Sequence, residues 1–112
     1  MKKDHKPYLY DILESTEKII SYLNGVTEKE FFDNTQLQDS VIRRFEIIGE
    51  ATKNTPEEYR RTNDKVPWKK MTGMRDVLIH DYTGVDLNLV WNTAKNKLPG
   101  FREQIKKLID EK

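Results

Sequence analysis

Residues 75–82 read RDVLIHDY, and three side chains in that octapeptide can do chemistry near neutral pH. His80 is of the residue type that gains or loses a proton close to neutrality, so it can serve as a general acid or base. Arg75 offers a planar fork of donors that grips an oxyanion such as phosphate. Tyr82 adds a phenolic hydroxyl. Each residue also has a plainer reading. An arginine in an apolar helical stripe needs a carboxylate partner, because a buried unpaired charge costs several kcal/mol. Glu46 and Glu50 are the candidate partners. A histidine near a helix C-terminus is a favourable cation at the negative end of the dipole, and a lone tyrosine there is a core or rim aromatic. Singly, the plain readings win; together, the three are harder to dismiss.

Composition narrows the chemistry. The 112 residues include no cysteine, which excludes disulfides, thiolate metal sites and cysteine nucleophiles. Only two histidines are present, and His5 lies in an N-terminus expected to fray, so a histidine-rich metal site within one chain is not expected. Lys and Arg number 20 against 19 Asp and Glu. The net charge of +1 supplies no global field for nucleic acid, although a local basic cleft is compatible with it. Hydrophobic residues make up 36% and charged residues 35%, a lean core under a heavily solvated surface. The opening MKKDHKPYLYD has the charge of a signal peptide but no apolar run behind it. No stretch approaches the roughly 18 apolar residues that a membrane span requires. A soluble cytoplasmic protein of one domain, residues 1–112, is expected, with no cofactor, no metal and no membrane contact.

The elements that must position RDVLIHDY are helices. Leu9, Ile12, Leu13, Thr16, Ile19, Ile20 and Leu23 have the three-and-four spacing of one helical face over residues 8–24, which Asn24-Gly25 ends. Thr27-Glu28-Lys29-Glu30 matches a capping box and starts a short helix. TQLQDSVIRRFEIIGEATKN, residues 35–54, is the longest early helix, with Asn34 or Thr35 as its N-cap. Its stripe is Leu37, Val41, Phe45, Ile48 and Thr52. Gly49 costs this helix roughly 1 kcal/mol relative to alanine, so another helix is expected to pass close by. Thr55-Pro56-Glu57-Glu58 reads as a further start, with a threonine cap, and residues 60–66 read as a loop. A new helix should run from about Pro67 to His80, with Thr83-Gly84 breaking it. Asp86 caps the last helix, whose heptad is Leu87, Trp91, Ala94, Leu98, Phe101, Ile105 and Leu108. Pro99 should kink that helix without ending it. The expected fold is an all-α, up-and-down bundle of four to five helices.

At about 100° per residue, Arg75 shares a stripe with Met71, Leu78, Ile79 and Tyr82. His80 stands about 140° away, on the side of Gly73, Asp76 and Val77. One straight helix cannot aim both at the same small target. They converge if the helix ends near His80, if the arginine swings round, or if a second copy supplies one of them. The last option predicts a homodimer with a composite cleft.

The pattern R-x4-H-x-Y resembles the signature of the HEPN family, in particular the HepT-type toxins paired with minimal nucleotidyltransferases of the MntA type. VIRRFEIIGEATKNTPEEYR is similar to that family's long second helix, and MRDVLIHDYTGVDLNLVW to its motif helix and the entry to the last one. NKLPGFREQI resembles its proline-containing final helix. The likeness covers nearly the whole chain. It implies a homodimer of helical bundles with the motifs facing a shared cleft, and metal-independent cleavage of RNA by Arg75 and His80. Histidine would take the 2′-hydroxyl proton or protonate the leaving oxygen, and arginine would meet the growing charge on phosphate. It further implies that the partner nucleotidyltransferase adds AMP to Tyr82 and so silences the toxin by bulk and charge. No base-stacking platform or RNA-binding signature is evident in the sequence. Two other readings compete: a non-catalytic module that binds a nucleotide or docks a nucleotidyltransferase, and a dimeric bundle whose motif only packs an interface.

Overall fold

Leu9, Ile12, Thr16 and Ile19 do bury one face of the first helix, α1 (Lys6–Tyr22), and Leu23 follows them into the core. The helix starts at Lys6, two residues before the expected start at residue 8, because Pro7 is tolerated in a first turn. Gly25 takes a φ of +74° just beyond its end, as the Asn24-Gly25 pair predicts. His5 does not fray. Its ring stacks on Tyr59 with centroids 3.9 Å apart and planes 13° apart, and its carbonyl accepts the Leu9 N–H at 3.1 Å. The computed structural model describes residues 4–80 and 84–111, with all their side chains except those of Ile79 and His80.

The capping box closes α2 (Glu28–Asp33) reciprocally. The Glu30 N–H donates to the Thr27 hydroxyl and the Thr27 N–H donates to the Glu30 carboxylate, both at 3.1 Å. The Thr27 backbone N–H foremost, and the Thr27 hydroxyl second, hold the Glu30 carboxyl below its ordinary value. Asn34 is the N-cap of α3 (Thr35–Asn54), accepting the Leu37 N–H at 3.0 Å. This helix buries Val41, Phe45, Ile48, Gly49, Ala51 and Thr52.

Thr55 acts backwards, not forwards. Its hydroxyl donates to the Ala51 carbonyl at 2.9 Å and closes α3, so α4 (Glu57–Thr62) begins after Pro56 with no side-chain cap. Arg60 to Thr62 are helical where a loop is expected. The Arg60 Nε donates to the Thr55 carbonyl at 3.1 Å, and two arginines stand at the negative end of the short dipole. Trp68 opens α5 (Trp68–His80), its indole N–H bonded to the Asn63 carbonyl at 2.9 Å, and Met71, Met74 and Leu78 continue the buried face.

Asp86 caps α6 (Leu87–Asn92) through the Leu89 N–H. A π-helical turn, Thr93–Lys97, then leads into α7 (Leu98–Asp110). The expected kink at Pro99 takes this form. Proline cannot donate to the carbonyl four residues back and its ring crowds that carbonyl. The Leu98 N–H bonds instead to the Thr93 carbonyl, five residues back, and the rod continues with helical dihedrals. The widened turn aims Lys95 across the bundle. Its Nζ donates to the Leu23 carbonyl at 2.8 Å, closing α1, and lies 5.0 Å from the Trp91 ring centre.

The long rods pack in the order α7–α1–α3–α5, with α1 and α3 central. Phe31, Phe45, Phe101, Ile12, Ile48 and Leu98 are fully buried between them. Among the described residues the fold is the expected all-α bundle, four long rods with two short helices and no strand. None of these helices is long and apolar enough to cross a membrane.

Candidate functional site

The site begins at a missing side chain. Gly49 is buried on α3, and α5 crosses it so closely that a methyl there would lie 3.0 Å from Cγ and 3.1 Å from Cδ of Arg75, and closer still to its Cβ. The mid-helix glycine therefore has the close helix approach that the sequence implies. The aliphatic stem of Arg75 lies on bare backbone, and its guanidinium emerges at the edge of the bundle with 23% of the side chain exposed.

Two carboxylates hold that guanidinium. Its Nη2 lies 2.8 Å from Oε2 of Glu50 on α3, and its Nη1 lies 3.3 Å from Oδ1 of Asp76. Glu50 is one of the two partners the sequence suggests; the other, Glu46, does not pair with Arg75. An arginine has five N–H donors, and these ion pairs take two of them.

Arg75 stands at the rim of a cleft of about 300 Å³. Tyr8 and Asp11 of α1 form one wall, and the α3 face carrying Arg43, Glu46, Ile47, Glu50, Ala51 and Asn54 forms the floor. The side chains of Asp11, Arg43 and Glu46 have neither hydrogen bond nor ion pair among the described residues. Sequence reasoning missed this assembly. The α3 residues share a three-and-four spacing that a reader could extract, but nothing in the chain announces that Tyr8 and Arg75 flank them.

His80 is the last residue of α5, which is α-helical without interruption from Trp68. The His80 side chain and Tyr82 lie outside the described residues, as does Thr83 of the expected helix break. The positions three, four and seven before His80, which are Val77, Asp76 and Gly73, are all exposed, with Val77 at 46%. Among the described residues no group of three or more His, Asp or Glu side chains could hold a metal ion.

Known proteins are similar in sequence to this chain along most of its length. The family model described as ribonuclease HepT-like matches residues 12–108. A Methanocaldococcus jannaschii protein named "Gamma-glutamylcyclotransferase and putative RNase" is 50% identical over 111 residues, which is 99% of this chain and 50% of that protein. The chain thus spans half the length of that relative. A Thermococcus cleftensis protein named "Probable ribonuclease HepT" is 42% identical over 108 residues, covering 96% of this chain and 98% of the relative. No solved structure matches. A family model spanning nearly the whole bundle, motif helix included, leaves one conclusion: the chain belongs to the ribonuclease HepT-like family.

Proposed function

We propose that the protein is a toxin-type endoribonuclease that cuts RNA without a metal ion. In this reading two copies form a homodimer whose α5 helices face a shared cleft, with Arg75 and His80 as catalytic residues. The observation that carries it is the seating of Arg75. Its stem rests on Gly49, and Glu50 and Asp76 orient its guanidinium at a solvent-facing rim. A group held in place before substrate arrives loses little freedom in the reaction, which is how preorganised donors stabilise developing charge.

The chemistry is set by the two side chains. A 2′-hydroxyl oxygen attacks the adjacent phosphorus and gives its proton to one imidazole. The phosphorus–5′-oxygen bond breaks, and the departing oxygen takes a proton from the second His80 of the dimer or from water. Arg75 donates to the non-bridging phosphate oxygens, whose charge rises on the way. The products are a 2′,3′-cyclic phosphate and a free 5′-hydroxyl.

Control in this reading comes from a nucleotidyltransferase of the MntA type, encoded as the antitoxin, which transfers AMP to the Tyr82 hydroxyl. Each AMP places a phosphate where RNA phosphate must enter. One observation favours a second reading, a non-catalytic module that docks a nucleotidyltransferase: Arg75 is already neutralised by two carboxylates.

Incubating the pure protein with RNA separates the two. Cleavage should proceed in EDTA and vanish in Arg75→Ala and in His80→Ala, while circular dichroism shows both variants folded. Uncut RNA with the intact protein supports the docking module, and cleavage that requires added metal overturns the mechanism. For Tyr82, mass spectrometry after co-expression with the partner enzyme should find AMP on the Tyr82 peptide and none in Tyr82→Phe. AMP mapped to Tyr8, Tyr10, Tyr22 or Tyr59 sinks that assignment.

A further inference from the structure

The cleft beside Arg75 is a poor place for a phosphate and a good one for a base. Three carboxylates, Asp11, Glu46 and Glu50, line it against two guanidinium groups, Arg43 and Arg75. Glu50 is already spent on Arg75. The charged groups left without partners among the described residues are two acceptors, Asp11 and Glu46, and one donor fork, Arg43. Ile47 and Ala51 supply an apolar floor, and the half-buried ring of Tyr8 stands at its side. A volume of about 300 Å³ is at the small end of ligand pockets and suits a single planar ring system.

We propose that this cleft is a guanine subsite, which takes the base next to the phosphate gripped by Arg75. The inference rests on the ribonuclease reading for its RNA, and the choice of base comes from hydrogen-bond chemistry. A carboxylate offers two acceptors side by side. Guanine alone presents two adjacent donors, N1–H and the N2 amino group, on its Watson–Crick edge. Adenine and cytosine each set an acceptor next to their amino group, and uracil flanks its one N–H with two carbonyls, so a carboxylate repels part of each edge. Guanine's opposite edge carries the O6 and N7 acceptors, the usual match for an arginine fork. The Tyr8 ring gives the base a face to stack on, as aromatic side chains do for unpaired bases.

Titrating the protein with 5′-GMP, 5′-AMP, 5′-CMP and 5′-UMP in a calorimeter reads the subsite without any cleavage. GMP should bind about tenfold more tightly than the other three, the scale of one well-matched base contact. Glu46→Gln should remove most of that preference, and Tyr8→Ala should weaken all four nucleotides about tenfold. Glu46 is surface-accessible, so its variant keeps the test interpretable if Tyr8→Ala fails to fold. Equal binding of the four nucleotides, no binding, or a GMP preference untouched by Glu46→Gln overturns the subsite. Sequencing the ends of cut RNA adds a second readout: guanine should be enriched at one fixed position beside the break. RNA cut with no guanine enrichment removes the subsite and leaves the ribonuclease reading standing. Selective, Glu46-dependent GMP binding with RNA left uncut does the reverse.

Discussion

Arg75 and Gly49 act as one unit, and the balance of two opposing effects at Gly49 can be measured. Alanine in mid-helix gains roughly 1 kcal/mol over glycine from backbone entropy. Here the new methyl meets the first three carbons of Arg75, so α5 must shift away, and overpacking of this kind costs about 1–3 kcal/mol. Gly49→Ala should therefore lower the melting temperature and abolish RNA cleavage together; a rise in melting temperature would refute the close crossing. Glu50→Gln separates stability from activity. The pair is exposed on the glutamate side at 53%, so its loss should cost under ~1 kcal/mol of stability. Cleavage should nevertheless fall about tenfold, the ~1.4 kcal/mol scale of one charge-assisted hydrogen bond that orients the guanidinium. Equal losses in melting and in rate across both variants would reduce Arg75 to a structural residue.

At the level of elements, three of the expected N-terminal caps form and the one expected at Thr55 does not. Asn34, Asp86 and the Thr27/Glu30 box each satisfy the expected N–H. The Thr27/Glu30 box also makes a pH prediction. The Glu30 pKa is lowered in the folded chain, so its contribution is complete above the ordinary carboxylate range and is lost as pH falls through the folded value. Glu30→Gln should flatten the acid side of the stability curve, and Thr27→Ala should cost about 1 kcal/mol at neutral pH, both read by thermal melts across pH. An unchanged acid limb in Glu30→Gln would show the bond to be unimportant. The elements that escaped a sequence reading did so for physical reasons. A threonine hydroxyl can cap the helix ahead or bond the carbonyl four residues behind, and Thr55 has the composition for either. A π turn bonds five residues back with no side-chain signature, so Pro99 signals a disturbance without saying which. The cleft depends on three helices meeting, and no local pattern encodes a meeting.

As a whole, the described body is flattened, 46 × 29 × 20 Å, and leaves Val77 of α5 and Leu89 of α6 exposed at 46% and 39%. Single exposed apolar residues are ordinary, but Val77 stands on the helix that ends at His80, and Leu89 on the next helix along the chain. A homodimer through α5 should bury more than ~1,000 Å² in total. Sedimentation at micromolar concentration should report two copies, Val77→Glu should shift the mass toward one, and cleavage should fall in step with dissociation. A monomeric protein that still cuts RNA would end the composite-cleft model.

The turn at Thr93–Lys97 bears on how this chain can gain or lose residues. A π turn is an α-helix holding one residue too many, so a one-residue deletion there, of Asn96 for example, would heal the ladder into an uninterrupted α-helix. Helix content would hold or rise. Yet α6 would spin by about 100° relative to α7, turning Val90 out of the core and withdrawing Lys95 from the Leu23 carbonyl. The surplus residue works as a phase setter between the two halves of the last rod, and repairing it should yield a more regular helix in a less stable protein.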